Sequence, residues 1–199
     1  MVMVKEDKLA FRFDCGAVWL NLLATKGRSF STEPVERLPT AARLAEWLEH
    51  CELSPVRPPG EDDLEQARRL RESLRFLALA TVDEQPPPAR HVASLAAFLS
   101  QHDDPIRLTA DNRLRRERPA TTLDALGRIA RQAADHLSSV DRFALKRCPE
   151  HDCRGIFIDP PGRRRWCPSP TCASRGRVRA LRARRSAPDP DPVGGSQVL

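Results

Sequence analysis

Four cysteines, Cys148, Cys153, Cys167 and Cys172, stand in the pattern C-x4-C-x13-C-x4-C. Two close pairs joined by a hairpin-length segment let thiolates from two chain turns converge on one tetrahedral ion, about 2.3 Å from each sulfur, with no preformed core. The segment is rich in Pro and Gly and poor in apolar residues, so bound metal is what would fold it. Zn2+ is the expected ion; a single iron or an iron–sulfur cluster is the alternative that four thiolates also accept. His151 lies inside the first pair, but four sulfurs already close a site and the imidazole is expected in solvent. Between the pairs, GIFID (155–159) reads as a strand, PPG (160–162) as a turn and RRRWC as the returning strand, with Cys172 opening a last helix.

Charge is concentrated in the same region. The chain carries 33 Lys and Arg against 27 Asp and Glu, a net +6. Residues 145–185 hold twelve of the basic residues and three acids, a net +9, which leaves −3 for the rest. In ASRGRVRALRARR, Arg175, Arg179 and Arg182 fall at i, i+4 and i+7, flanked by Arg177 and Arg184, while Val178 and Leu181 form a core-facing pair. A metal-held helix with such a row can donate forked hydrogen bonds to phosphates or guanine edges, and Arg163, Arg164 and Arg165 would widen the surface. DNA is therefore the expected partner. A basic helix docking an acidic protein is the second reading. RNA is the weaker third, because Phe157 and Trp166 are expected in the core and no aromatic platform accompanies the arginines.

Upstream, KLAFRFD (8–14) alternates like a half-buried strand, and IRLTAD (106–111) alternates again and could pair with it in a small sheet. Thr40 can cap a helix bearing Leu44, Trp47, Leu48 and Cys51. Leu64, Ala67, Leu70, Leu74 and Leu77 mark a long helix with a Glu65–Arg69 pair. A shorter helix follows around Val92, Leu95, Ala96 and Leu99. Thr121 and Asp124 form a capping box before Leu123, Leu126, Ala130, Ala133 and Leu137. The expected fold class is α+β. A mostly helical domain with a small sheet spans 8–142, a zinc-bound hairpin and helix span 145–185, and residues 186–199 form a disordered tail.

Six cysteines, four of them clustered, suit a reducing compartment. The apolar run 15–24 is too short to span a bilayer and lacks signal-peptide order, so a cytoplasmic protein without a membrane partner is expected. No enzyme is expected. His50, His91, His102, His136 and His151 are scattered without a nucleophile at motif spacing, and no glycine-rich phosphate loop occurs. Cys15 and Cys51 sit among apolar residues and read as core thiols.

The stretch RCPEHDCRGIFIDPPGRRRWCPSPTCASRGRVRALRARR resembles the CGNR zinc finger, a C-terminal module of bacterial transcription regulators. The likeness rests on both C-x4-C pairs, the IFID strand with Asp159, the RRWC approach to Cys167 and the basic residues that follow. Cys172-Ala173-Ser174-Arg175 stands where the family reads Cys-Gly-Asn-Arg: Cys and Arg match, Gly and Asn do not, and Ser174 can cap a helix start nearly as well as Asn. KLAFRFDCGAVWLNLLAT, LAEWL and LEQARRLRESLR resemble the ABATE domain that precedes this finger in stress-induced transcription regulators. Asn21 matches its Asn; Ala24 interrupts the Asn-Thr pair. The resemblance implies a helical domain that senses an unidentified small molecule, with Asn21 and Arg71 as ligand candidates, joined to a zinc-dependent DNA-binding module.

Overall fold

In a computed structural model, residues 9–102, 104–110, 113–159 and 161–186 are described. The tail expected to be disordered falls, from residue 187, outside them. Helix α1 (Val18–Ala24) buries Trp19, Leu20, Asn21, Leu22 and Leu23, so it is apolar on nearly every face and sits inside the other elements. It packs on α3 (Glu61–Val82), on α5 (Thr122–Ser138) and on the strand β6 (Ile156–Ile158). Helix α3 is the longest element. Three acids in its first turn oppose its dipole, and Asp63 accepts the Gly60 N–H at 2.8 Å. Its core face carries Leu64, Ala67, Leu70, Leu74 and Leu77, while Arg69 pairs with Glu65 on the outside.

Helix α2 (Ala41–His50) begins at Thr40, whose hydroxyl accepts the Arg43 N–H at 3.3 Å. Helix α5 begins in the reciprocal box of Thr121 and Asp124. Between α3 and α5 lies α4 (Ala89–Gln101). A 3-10 turn (Val140–Ala144) leads into β5 (Leu145–Arg147), and α6 (Pro170–Ser186) ends the described chain. The strands form three separate antiparallel ribbons: β1 (Lys26–Gly27) with β2 (Val35–Glu36), β3 (Leu108–Ala110) with β4 (Leu114–Arg116), and β5 with β6. The class is α+β, six helices among the described residues with small sheets.

Two sheet expectations are corrected. Residues 10–14 run without a ladder, and residue 8 lies outside the described residues. The aromatic rings of that alternation lie against helix α2: Phe13 stacks on Trp47 and His50, and the Arg43 guanidinium lies 3.9 Å from the Phe11 ring centre. Its carbonyls are taken by side chains, Ala10 by Arg37 at 2.8 Å and Leu9 by Arg43 at 2.9 Å. The second alternating run pairs locally, Leu108 opposite Arg116 and Ala110 opposite Leu114, because a short hairpin closes a smaller loop than a partner near residue 10 would.

The core is continuous from α1 into the C-terminal ribbon. Leu145, Ile156 and Phe157 belong to the same buried cluster as Trp19, Leu22, Leu74 and Leu126. Gly16 makes the contact possible: it sits at φ +100°, and a Cβ there would lie 2.8 Å from that of Ile158. The Ile158 N–H then donates to the Cys15 carbonyl at 2.9 Å.

Candidate metal centre and the basic helix

The first cysteine pair lies in the loop of the β5–β6 hairpin. Register places Leu145 opposite Ile158 and Arg147 opposite Ile156, so Cys148 and Cys153 are carried on the connection. The Cys148 N–H donates to the Gly155 carbonyl at 2.9 Å, and the N–H groups of Cys153 and Arg154 turn back on the Glu150 carbonyl at 3.0 and 2.9 Å. Arg154 takes the left-handed conformation, φ +46°, that closes this turn. The second pair lies at the start of α6. Cys172 is in its first turn, where unpaired N–H groups and the helix dipole favour a thiolate.

The four sulfurs lie within 4.8 Å of one another, and Cys153 Sγ is 3.8 Å from Cys167 Sγ. A tetrahedral zinc with bonds of about 2.3 Å requires sulfur–sulfur edges of about 3.8 Å, so the donor set fits the ion. Hydrogen bonds from Cys153 and Cys167 pull the Cys148 thiol down to about 7. His151 is exposed and outside the cluster. Cys15 and Cys51 also lie outside it. Burial, aided by Asp14, pushes the Cys15 thiol up to about 11, and burial alone takes Cys51 to about 12, which keeps both protonated.

The hairpin differs from the expected one. RRRWC does not return beside GIFID; β6 pairs backward with Leu145–Arg147. Leu145 offers that ribbon a buried apolar residue, whereas consecutive arginines would place charge on both its faces. Arg163, Arg164 and Arg165 instead follow a turn in which the Gly162 N–H donates to Asp159, and all three side chains are exposed. The Asp159 carboxylate accepts the Arg164 N–H at 2.6 Å and the Lys146 ammonium at 3.3 Å.

The arginine row of α6 divides in two. Arg175 forks onto Asp152 at 2.6 and 3.0 Å, with Nη2 3.8 Å from Cys172 Sγ. Spacing explains this: three residues after Cys172, it lies on the same helix face. The Arg175 fork, helped by Arg28, holds the Asp152 carboxyl below its usual range. Arg179 forks onto Glu150 at 2.8 and 3.3 Å. Both acids are buried. Arg177, Arg182 and Arg184 are exposed. Val178 and Leu181, expected to face the core, are 46% and 50% exposed. The start of α6 packs within the cysteine module: Gly176 is buried under the Trp166 indole, which a Cβ at that position would overlap.

Further contacts join this module to the helices, and the sequence reading passed over them. Asp152 accepts Arg28 at 3.3 Å through its side chain and the Phe30 N–H at 3.1 Å through its carbonyl. Asp83, the residue that ends α3, pairs with Arg147 at 2.8 Å and with Arg154 at 3.2 Å. One signal was available: the three acids of this +9 segment, Glu150, Asp152 and Asp159, all lie within twelve residues after Cys148, where carboxylates can accept arginine forks.

The candidate ligand residues lie in interior hydrogen-bond networks. Asn21 Oδ1 accepts the Cys15 N–H at 3.1 Å. Arg71 is 2% exposed and forks onto Glu36 at 2.5 and 2.8 Å, with Thr25 and Glu72 as further acceptors. A cavity of about 670 Å3 opens elsewhere, between α3, α4, α5 and the 3-10 turn, and neither residue lines it. Among the described residues no helix is long and apolar enough to cross a membrane. Residues 16–140 match the family ABATE, described as Putative stress-induced transcription regulator, and residues 144–185 match the CGNR zinc finger. No curated protein matches the chain.

Proposed function

We propose that this chain, which belongs to the ABATE family of stress-induced transcription regulators and ends in a CGNR zinc finger, is a zinc-dependent DNA-binding regulator. It acts in the cytoplasm as a binder and not as an enzyme. Residues 8–142 sense a small molecule and residues 145–185 read DNA. Bound between Cys148, Cys153, Cys167 and Cys172, zinc supplies a closed structural cross-link. The chain's own residues do the rest: Arg175 and Arg179 clamp α6 to the ligand loop, and Arg163, Arg164, Arg165, Arg177, Arg182 and Arg184 meet the duplex.

The observation that carries this reading is the cluster of four cysteine sulfurs within 4.8 Å of one another at the root of a helix whose outer arginines are exposed. Elemental analysis should return one zinc per chain, and a colourless protein distinguishes it from iron. Duplex affinity should fall with salt at a log–log slope of about −0.9 per phosphate contacted, about −4 to −5 in total. Replacing Arg177 and Arg184 by Ala should remove about two contacts from that slope while zinc stays bound. A zinc-loaded protein whose duplex affinity ignores salt would overturn DNA binding. The exposure of Val178 and Leu181 favours a second reading, a zinc-held adapter whose α6 docks an acidic protein; Leu181→Ser would then weaken partner capture and leave the salt slope unchanged.

A further inference from the structure

Helix α4 carries an apolar stripe of Val92, Leu95, Ala96 and Leu99, the pattern of a core-facing helix. Leu95 alone of the stripe is fully buried, and Val92 is 44% exposed. All four line the 670 Å3 cavity, whose other walls are Leu77 and Val82 of α3, Leu137 of α5, and Leu145. The stripe is anchored in the core at Leu95 and opens into this space at Val92 and Ala96. That volume lies within the range of small-molecule pockets, about 300–1,000 Å3, and suits a compact guest better than a docked helix.

The polar groups of the lining define the guest's charge. Thr81 donates its hydroxyl proton to the Leu77 carbonyl at 3.0 Å and Ser138 donates to Asp135 at 3.4 Å, so neither has a proton to offer inward. Arg142 and Glu84 bring one charge of each sign. Arg142 is engaged with the Ser139 carbonyl at 2.6 Å and lies 4.3 Å from the Phe143 ring centre. No side of the charge balance is left over for an ion, and an ionised guest would lose hydration against aliphatic walls.

The cavity also adjoins the metal module twice. Leu145 begins β5, three residues before Cys148. Thr81, Val82 and Glu84 surround Asp83, whose carboxylate holds Arg147 and Arg154 on either side of the ligand loop. We propose that this cavity binds a small uncharged apolar molecule and that filling it changes how firmly the cysteine cluster holds its metal. The inference deepens the proposed sensing role by giving it a location and a ligand class, and its binding step depends on neither DNA nor zinc.

The test uses the full zinc-loaded chain with the neutral fluorophore N-phenyl-1-naphthylamine. Saturable binding at one site is expected, with displacement by decanol and about tenfold weaker displacement by decanoate or decylammonium. Ala96→Trp places an indole in the cavity from an exposed helix position, so it should abolish binding at an unchanged melting temperature. Leu99→Ala, which enlarges the space, should keep binding. Zinc transfer to a chromogenic chelator should change by about threefold or more with decanol in the parent chain and not in Ala96→Trp. Probe binding that survives Ala96→Trp, or tighter binding of a charged analogue, overturns the site or its ligand class. A decanol-insensitive transfer rate overturns the coupling. A dimer that decanol dissociates would give the cavity to a second copy and overturn the proposal, whatever becomes of DNA binding.

Discussion

Gly16 meets two demands that another residue type cannot meet together: a backbone at φ +100° and a near neighbour in Ile158. Gly16→Ala should therefore cost about 2–4 kcal/mol, from left-handed strain and a forced retreat of β6, read as a lower urea midpoint. Glu36 illustrates a different cost. Burial pushes its carboxyl up, but the forked hydrogen bonds and charge of Arg71 outweigh that and hold it below its usual range. A carboxyl depressed in the folded protein contributes stability that is complete above its unfolded value, about 4.3, and is lost as pH falls through the folded one. Thermal melts from pH 7 down to pH 3 should show the parent chain losing more midpoint than Glu36→Gln; parallel losses would mean that the Arg71 network contributes nothing to acid sensitivity.

Among the elements, α6 does two jobs with one residue type. Arg175 and Arg179 fasten it to buried carboxylates, while Arg177, Arg182 and Arg184 are exposed. Arg175→Lys removes a fork that an ammonium cannot reproduce, and should speed zinc loss to a chelator by about tenfold, while Arg177→Lys leaves that rate unchanged. Periodicity made the core-facing stripes of α2, α3 and α5 legible, and the caps at Thr40 and Thr121 were readable because a hydroxyl or carboxylate answers a backbone N–H a fixed three residues away. Pairing was not. The run at residues 8–14 has the period of a strand, but period alone leaves open whether its carbonyls meet another strand or the side chains of Arg37 and Arg43. The arginines of α6 were likewise read as one row, since their carboxylate partners lie on a loop more than twenty residues away.

For the whole molecule, the cysteine pattern located the candidate metal site, yet it carried no hint of how far the site's strand reaches inward. Ile156 and Phe157 enter the core that α1, α3 and α5 build. Phe157→Ala should cost about 3–5 kcal/mol, and the helical signal of the entire chain should melt at a lower temperature in a single transition. Chelation should do the same in kind, whereas a helical signal that keeps its midpoint after metal loss would mark the helices upstream of residue 145 as stable without the metal module. The Gly16–Ile158 contact joins the segment before α1 to a strand made 142 residues later. During synthesis, then, α1 waits for β6 before its apolar surface is sealed. Until that moment the nascent polypeptide exposes tryptophan and leucine to chaperones, and a premature stop ahead of Ile156 yields a product with an open core rather than a shortened regulator.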